Sequence, residues 1–381
     1  MLFDRRHLLQ AALAGGIAVP LRAQNYGAAA KPADFPPVDA RSVWLVGDDA
    51  SRSPSDTVAQ LATLAGKPGK IRDSYLTGGA VEDLEQAFAA LLGKEACAFL
   101  PTGTLANNVA LRVLCGEHPH AFCQADSHLY RDESDTAQRL SGINLVPLGP
   151  GHAAPTIAEL AAAFDAAEKG PFPLKVGAIS LESPVRRLDG QMIAPADLTG
   201  IAALAKAHNT RLHLDGARLL LAPPSIDVKA YAAPFDTVYV SLYKYLGAPF
   251  GAVLAGTAAD IARAREWRHL YGGMIYQGWA SALLALDGLK TFPAAIARAH
   301  ARVDELMTAL EHEKLAKRRA SPAPSNIHFL EMPEARATVA FERGRVAGIR
   351  LGRWKEGAIP LYANATILRR ETAEYVALFK T

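Results

Sequence analysis

The chain has 381 residues, half of them hydrophobic, which exceeds the usual size of one domain and allows a sizeable core. Its 41 Lys and Arg residues against 38 Asp and Glu leave a net charge of +3, and no cationic run interleaves with aromatics, so nucleic acid is not an expected partner. The three cysteines, Cys97, Cys115 and Cys123, lack paired metal-ligand spacing. They read as small buried hydrophobes, with no metal and no disulfide framework expected.

At the amino terminus, Asp4-Arg5-Arg6-His7-Leu8-Leu9-Gln10 precedes an apolar run from Ala11 to Leu21 and then Arg22-Ala23-Gln24. A short cationic region, an apolar segment too short to span a bilayer comfortably and a small residue before a polar stretch together resemble a twin-arginine export signal over residues 1–24. The expected location is then the periplasm, or the cytoplasm where the leader does not function. Residues 25–40, rich in Ala and Pro, read as a linker, 41–295 as a large domain and 296–381 as a small one. No later segment reads as long and apolar enough to cross a membrane, so no membrane partner is expected once the leader is removed.

Asp73-Ser74-Tyr75-Leu76-Thr77-Gly78-Gly79 reads as a turn, followed by a helix with apolar residues at Val81, Leu84, Phe88 and Leu91. A short strand over Cys97–Leu100 turns through Thr102-Gly103-Thr104 into a helix over Leu105–Leu114. Free N–H groups at that helix start, with the Thr104 hydroxyl, suit a phosphate. Further strands are expected over Val176–Glu182, Arg211–Asp215 and Thr237–Leu242. This strand and helix alternation predicts an α/β domain with a mostly parallel sheet and helices on both faces.

In Arg211-Leu212-His213-Leu214-Asp215-Gly216, alternation puts Leu212 and Leu214 on one face and His213 and Asp215 on the other. Asp215 therefore stands at a strand's carboxyl end, where open α/β sheets bind ligands, and a carboxylate there can keep a pyridine nitrogen protonated. Lys244 closely follows the apolar strand ending at Ser241-Leu242. An amine desolvated in such a crevice has a lowered pKa and can form a Schiff base with an aldehyde. The pair reads as a pyridoxal 5'-phosphate site. Arg218, three residues after Asp215, is the candidate clamp for a substrate carboxylate.

These stretches, His213-Leu214-Asp215-Gly216-Ala217-Arg218 and Leu242-Tyr243-Lys244-Tyr245-Leu246-Gly247-Ala248-Pro249-Phe250-Gly251, resemble the threonine aldolase and aromatic amino acid β-eliminating lyase family of fold-type I pyridoxal phosphate enzymes. Gly93 to Asn107 and Ala125-Asp126-Ser127-His128 add two motifs in the family's order. The resemblance implies a large sheet domain with a small α+β carboxyl-terminal domain. It implies that His128 stacks on the cofactor ring opposite Asp215 and takes part in proton transfer, that Gly103, Thr104, Ser241, Asp215 and Arg218 hold the cofactor, and that Lys244 is the catalytic lysine. Arg187, on the loop Ser183-Pro184-Val185-Arg186-Arg187-Leu188-Asp189-Gly190, and Tyr75 are implied substrate contacts. A second carboxylate-binding arginine is expected from the terminal domain, with Arg369 on a strand-like segment preferred to Arg350.

The implied reaction cleaves the Cα–Cβ bond of a β-hydroxy-α-amino acid to glycine and an aldehyde, in a homodimer or homotetramer acting on a small amino acid. The alternatives are β-elimination from an amino acid and a catalytically degenerate exported binder. Three departures bear on that choice. Val185 stands where many threonine aldolases have a histidine, Gly47-Asp48-Asp49-Ala50 replaces Ser-Asp-Thr-Val, and Gly272-Gly273-Met274-Ile275-Tyr276-Gln277 lacks an arginine after the methionine.

The small domain is expected to hold strands near Asn326–Leu330 and Ile349–Arg353, a helix or strand near Thr338–Arg343, a strand-like Ala365–Arg369 and a last helix from Thr372.

Overall fold

The computed structural model describes residues 38–50 and 52–380. The expected leader lies outside the described residues, and the expected linker enters them only at Val38–Ala40. A seven-stranded sheet forms the large unit from β1 (Ala96–Leu100), β2 (His120–Gln124), β3 (Asn144–Leu148), β4 (Ala178–Glu182), β5 (Arg211–Asp215), β6 (Thr237–Ser241) and β7 (Ala252–Gly256). Their spatial order is β1-β7-β6-β5-β4-β2-β3. Only β7 runs antiparallel to its neighbours. Every residue of β4, β6 and β7 is buried, as expected for strands covered on both faces by helices.

The register of β4 against β5 pairs Glu182 with Asp215, so the carboxyl ends of adjacent strands bring two acids together. Helix α1 (Gly79–Leu92) closes one face through Val81, Leu84, Phe88 and Leu92, all buried. Full burial of each such side chain stabilises by about 1.5–3 kcal/mol. Gly93 ends the helix with φ 64°, the left-handed conformation glycine adopts without strain. Helix α2 (Gly103–Cys115) covers the other face from the end of β1. The three cysteines are buried thiols, and burial pushes Cys115 and Cys123 up to about 12.

Helix α3 (Trp279–His312) runs for 34 residues straight through Pro293 and across the expected boundary at 295/296, so the large and small units share a helix. Contrary to the reading above, its length and a window of mean hydropathy 1.2 make it apolar enough to cross a membrane. Its apolar residues nevertheless recur at helical spacing, as at Phe292, Ile296, Ala299, Val303 and Leu310, and join the main core.

The small unit pairs β8 (Lys317–Arg318), β9 (Ile327–Glu331) and β10 (Ala358–Tyr362) in the order β10-β9-β8, with helices over Glu334–Val346 and Thr372–Phe379. The strand expected over Ile349–Arg353 shrinks to Ile349–Arg350, which pairs with Val43–Trp44 from the chain's start. Ala365–Arg369 is a 3₁₀ helix and not a strand. Asn364 caps it, accepting from Thr366 N at 3.0 Å while donating to Trp44 O, and this local hydrogen bonding overrides the β propensity of Thr366 and Ile367.

Candidate active site

Two adjoining cavities open at the carboxyl ends of β4, β5 and β6. The inner, about 310 Å³, is lined by Thr102, Gly103, Thr104, Asn107, His128, Glu182, Asp215, Tyr239 and Lys244, among others. The outer, about 960 Å³, is lined by Asp48, Asp49, Arg52, Arg186, Tyr243 and Gly247. His128, Arg218, Tyr243 and Lys244 border both.

Asp215 is buried at the end of β5. Its Oδ1 accepts from Ala217 N at 3.1 Å and its Oδ2 from Asn107 Nδ2 at 2.9 Å. Asn107 lies one turn into α2 on the face packed against β5. Its second amide hydrogen goes to Glu133 Oε1 at 2.9 Å, and its Oδ1 faces His213 Nε2 at 3.0 Å. His213 and Asp215 thus share a strand face and a partner, as alternation predicted. Burial holds His213 down at about 4, so it is neutral. Glu182, opposite Asp215, is pushed up to about 7 by burial and by repulsion from Asp215. It accepts the backbone N–H groups of His128 at 2.6 Å and Arg186 at 3.0 Å.

Lys244 sits just beyond β6 on a turn closed by Leu242 N donating to Gly251 O at 3.1 Å. The Tyr245 hydroxyl donates to Ala217 O at 3.1 Å, tying this turn to the one after Asp215. Burial and the nearby Arg218 bring the Lys244 amine down to about 8, against the pull of Asp215, Asp48 and Glu182. At 8 and not 10.5, about 300 times more of it is neutral near pH 7. Gly247 (φ 77°) lets the Arg52 guanidinium pass where a Cβ would strike it.

At the other end of the inner cavity, Thr102 Oγ1 caps α2 by accepting Leu105 N at 3.1 Å, leaving the Gly103 and Thr104 N–H groups at the helix start. A Cβ at Gly103 would overlap the Tyr239 phenol, so only glycine fits. Ser241 Oγ is fully buried with no hydrogen-bond partner among the described residues, although the Tyr239 and Tyr243 phenols lie beside it.

Arg218 borders both cavities and is held by Asp48, with Nε 2.8 Å from Oδ1. The altered Gly47-Asp48-Asp49-Ala50 segment therefore supplies the arginine's anchor. Arg187 does not reach the cavities. It lies on the outer side of its loop, pairing with Asp132 at 2.5 Å, while its neighbour Arg186 lines the outer cavity. Val185 is fully buried in the core and leaves no group there for a substrate. Arg369 is exposed and donates to Ser42 O at 2.6 Å, a consequence of the 3₁₀ turn that carries it, and Arg350 covers the Trp44 ring. Tyr75 is 54% exposed at φ 52°, edge-on to Tyr276, and lines neither cavity.

Sequence reasoning missed the roles of Asn107, Glu133, Glu182, Asp48, Arg52, Arg186 and Tyr243. A signal for the first lay in Asn107-Asn108 within a largely apolar helix, because buried amides require partners.

A family model described as beta-eliminating lyase matches residues 61–335. The low specificity L-threonine aldolase of Saccharomyces cerevisiae is 30% identical over 260 residues, 66% of this chain and 65% of the yeast protein, so the match spans just under two thirds of that relative. A putative L-allo-threonine aldolase from Listeria monocytogenes superposes with a TM-score of 0.73 at 25% identity, over 89% of this chain and 96% of that one. A serine palmitoyltransferase from Sphingomonas wittichii shares the fold, with a TM-score of 0.64 at 17% identity over 89% of this chain and 86% of the other. The architecture is the expected fold-type I α/β arrangement.

Proposed function

Because the chain belongs to the beta-eliminating lyase family, we propose that it is a pyridoxal 5'-phosphate-dependent lyase cleaving the Cα–Cβ bond of a β-hydroxy-α-amino acid to glycine and an aldehyde. The observation that carries the reading is the convergence of Lys244, Asp215, His128 and the start of α2 on one 310 Å³ cavity. The residues fit the cofactor at each end. Asp215 would hold a protonated ring nitrogen, the Gly103 and Thr104 N–H groups with the buried Ser241 hydroxyl would hold a phosphate, and the amine of Lys244 would take an aldehyde. When bound, the cofactor supplies the sink for the electron pair released at Cα.

The chain's own residues do the rest. Arg218, steadied by Asp48, binds the substrate carboxylate at the junction of the cavities, and Arg186 and Arg52 border the space for its side chain. His128 accepts the β-hydroxyl proton, a role that buried Val185 cannot fill. Relatives named threonine aldolases support this reading over β-elimination.

The twin-arginine leader and the assembly into homodimers or homotetramers complete the proposal. Recovery of the protein from the periplasm should depend on Arg5 and Arg6, and export unchanged by their replacement with Lys would remove the leader reading.

The test is product analysis with cofactor-loaded protein. L-threonine or phenylserine should yield glycine and the matching aldehyde in equal amounts. A 2-oxo acid and ammonia would establish elimination, and no product from a cofactor-bound protein would establish a binder.

A further inference from the structure

We propose that Glu133, steadied by Asn107, is a positioning residue that holds His128 with a proton on Nδ1 and so presents Nε2 to the substrate cavity. The inference rests on the reading above only for the identity of the hydroxyl that Nε2 meets.

Glu133 lies five residues beyond His128 and is 3% exposed. Its Oε1 accepts from Asn107 Nδ2 at 2.9 Å and faces His128 Nδ1 at 3.1 Å. Its Oε2 accepts from Asn108 Nδ2 at 3.3 Å and from Thr136 Oγ1 at 3.4 Å. Burial raises the Glu133 pKa, but the Asn107 amide donates to it at 2.9 Å with Asn108 and Thr136 at longer range, surroundings that suit an acceptor-only carboxylate. A ring nitrogen facing such an oxygen must donate, which leaves the neutral imidazole its lone pair on Nε2.

The orientation of Asn107 is fixed independently. Its Nδ2 meets two carboxylates, Glu133 and Asp215, and its Oδ1 meets His213 Nε2. Exchanging its oxygen and nitrogen would set an acceptor against both acids. The His128 backbone is held separately by Glu182 Oε2, so main chain and ring are each pinned by a buried acid. Nε2 has no partner among the described residues, and His128 borders both cavities. The charged groups facing it are Glu133, Asp215 and Glu182 on one side and Lys244, Arg186 and Arg218 along the cavity walls. Burial opposes a charge on the ring, but the Glu133 hydrogen bond and the three acids outweigh it, and the net shift is upward. Proton transfer from a β-hydroxyl to Nε2 breaks the O–H bond and leaves its electrons to form the aldehyde carbonyl as Cα–Cβ opens.

Histidine-selective ¹⁵N–¹H correlation spectra of the cofactor-free protein, with His128 identified by His128→Gln, test this without reference to activity. The neutral form should carry its proton on Nδ1, and a majority with it on Nε2 overturns the proposal. In Glu133→Gln, the His128 titration midpoint should fall by at least about one pH unit, a tenfold loss of proton affinity. An unchanged midpoint also overturns it. If that variant fails to fold, the wild-type tautomer alone decides. In the loaded enzyme, the acid limb of the kcat/KM profile toward phenylserine should move down in Glu133→Gln by the same interval. An Nδ1-protonated His128 in a protein that cleaves no hydroxy amino acid would uphold the positioning and refute the aldol reading.

Discussion

The inner and outer cavities share His128, Arg218, Tyr243 and Lys244 yet are built differently. The inner one is walled by the ends of β5 and β6 and the start of α2, elements whose side chains are fixed by sheet register and helix packing. The outer one is walled by loops around Asp48, Arg52, Arg186 and Gly247, drawn together across long sequence separations by contacts such as Arg218–Asp48. The contrast teaches that the inner cavity is built by regular elements, whereas the outer one is assembled by loop geometry, where its lining can change without disturbing the fold.

The sharpest break in the contrast is Lys244→Ala, which should lower kcat by about 10⁴-fold, the upper range for loss of an acid–base group, and remove the component of the cofactor's visible absorption that depends on this amine. Next is Asp215→Asn. It keeps the shape of the strand end but loses the charge, and should raise the barrier by about 1.5–3 kcal/mol, the range for a hydrogen bond to a charged group. Single-turnover kinetics would show this as a kcat effect. The pH dependence is more graded. With Lys244 at about 8, the neutral amine increases tenfold per unit below that value and levels above it. Reconstitution rates measured between pH 6 and about pH 11 should therefore bend near pH 8 and level about one unit above it, and a tenfold rise per unit continuing to about pH 10 would mean the amine is not desolvated. The smallest effect separates two arginines. Arg218→Lys should raise KM at least about tenfold through loss of a planar clamp. Arg187→Ala, an exposed pair with Asp132, should cost no more than about 1 kcal/mol.

Much of the inner cavity was legible in the sequence because short-range rules write it. Period-two alternation placed His213 and Asp215 together, and the break from β1 into α2 marked Gly103 and Thr104. The outer cavity was not legible. Arg187 and Arg186 are equivalent in composition, and only the 3₁₀ turn at Arg186–Leu188 decides which of them lines the cavity. The strand expected to carry Arg369 is a turn for the same kind of reason, since Asn364 and Trp44, 320 residues apart, impose it on a segment of strand-like composition. Glu133 lacked any periodic signal, its role arising only where α2 brings Asn107 and Asn108 against it.

The most direct test of the central claim is borohydride reduction of the protein mixed with pyridoxal 5'-phosphate, followed by peptide mass analysis. A pyridoxyl group fixed on the peptide containing Lys244, and absent from Lys244→Ala, is the expected result. A folded protein that gains no label, or gains it on another lysine, would contradict the assignment of this cavity to the cofactor.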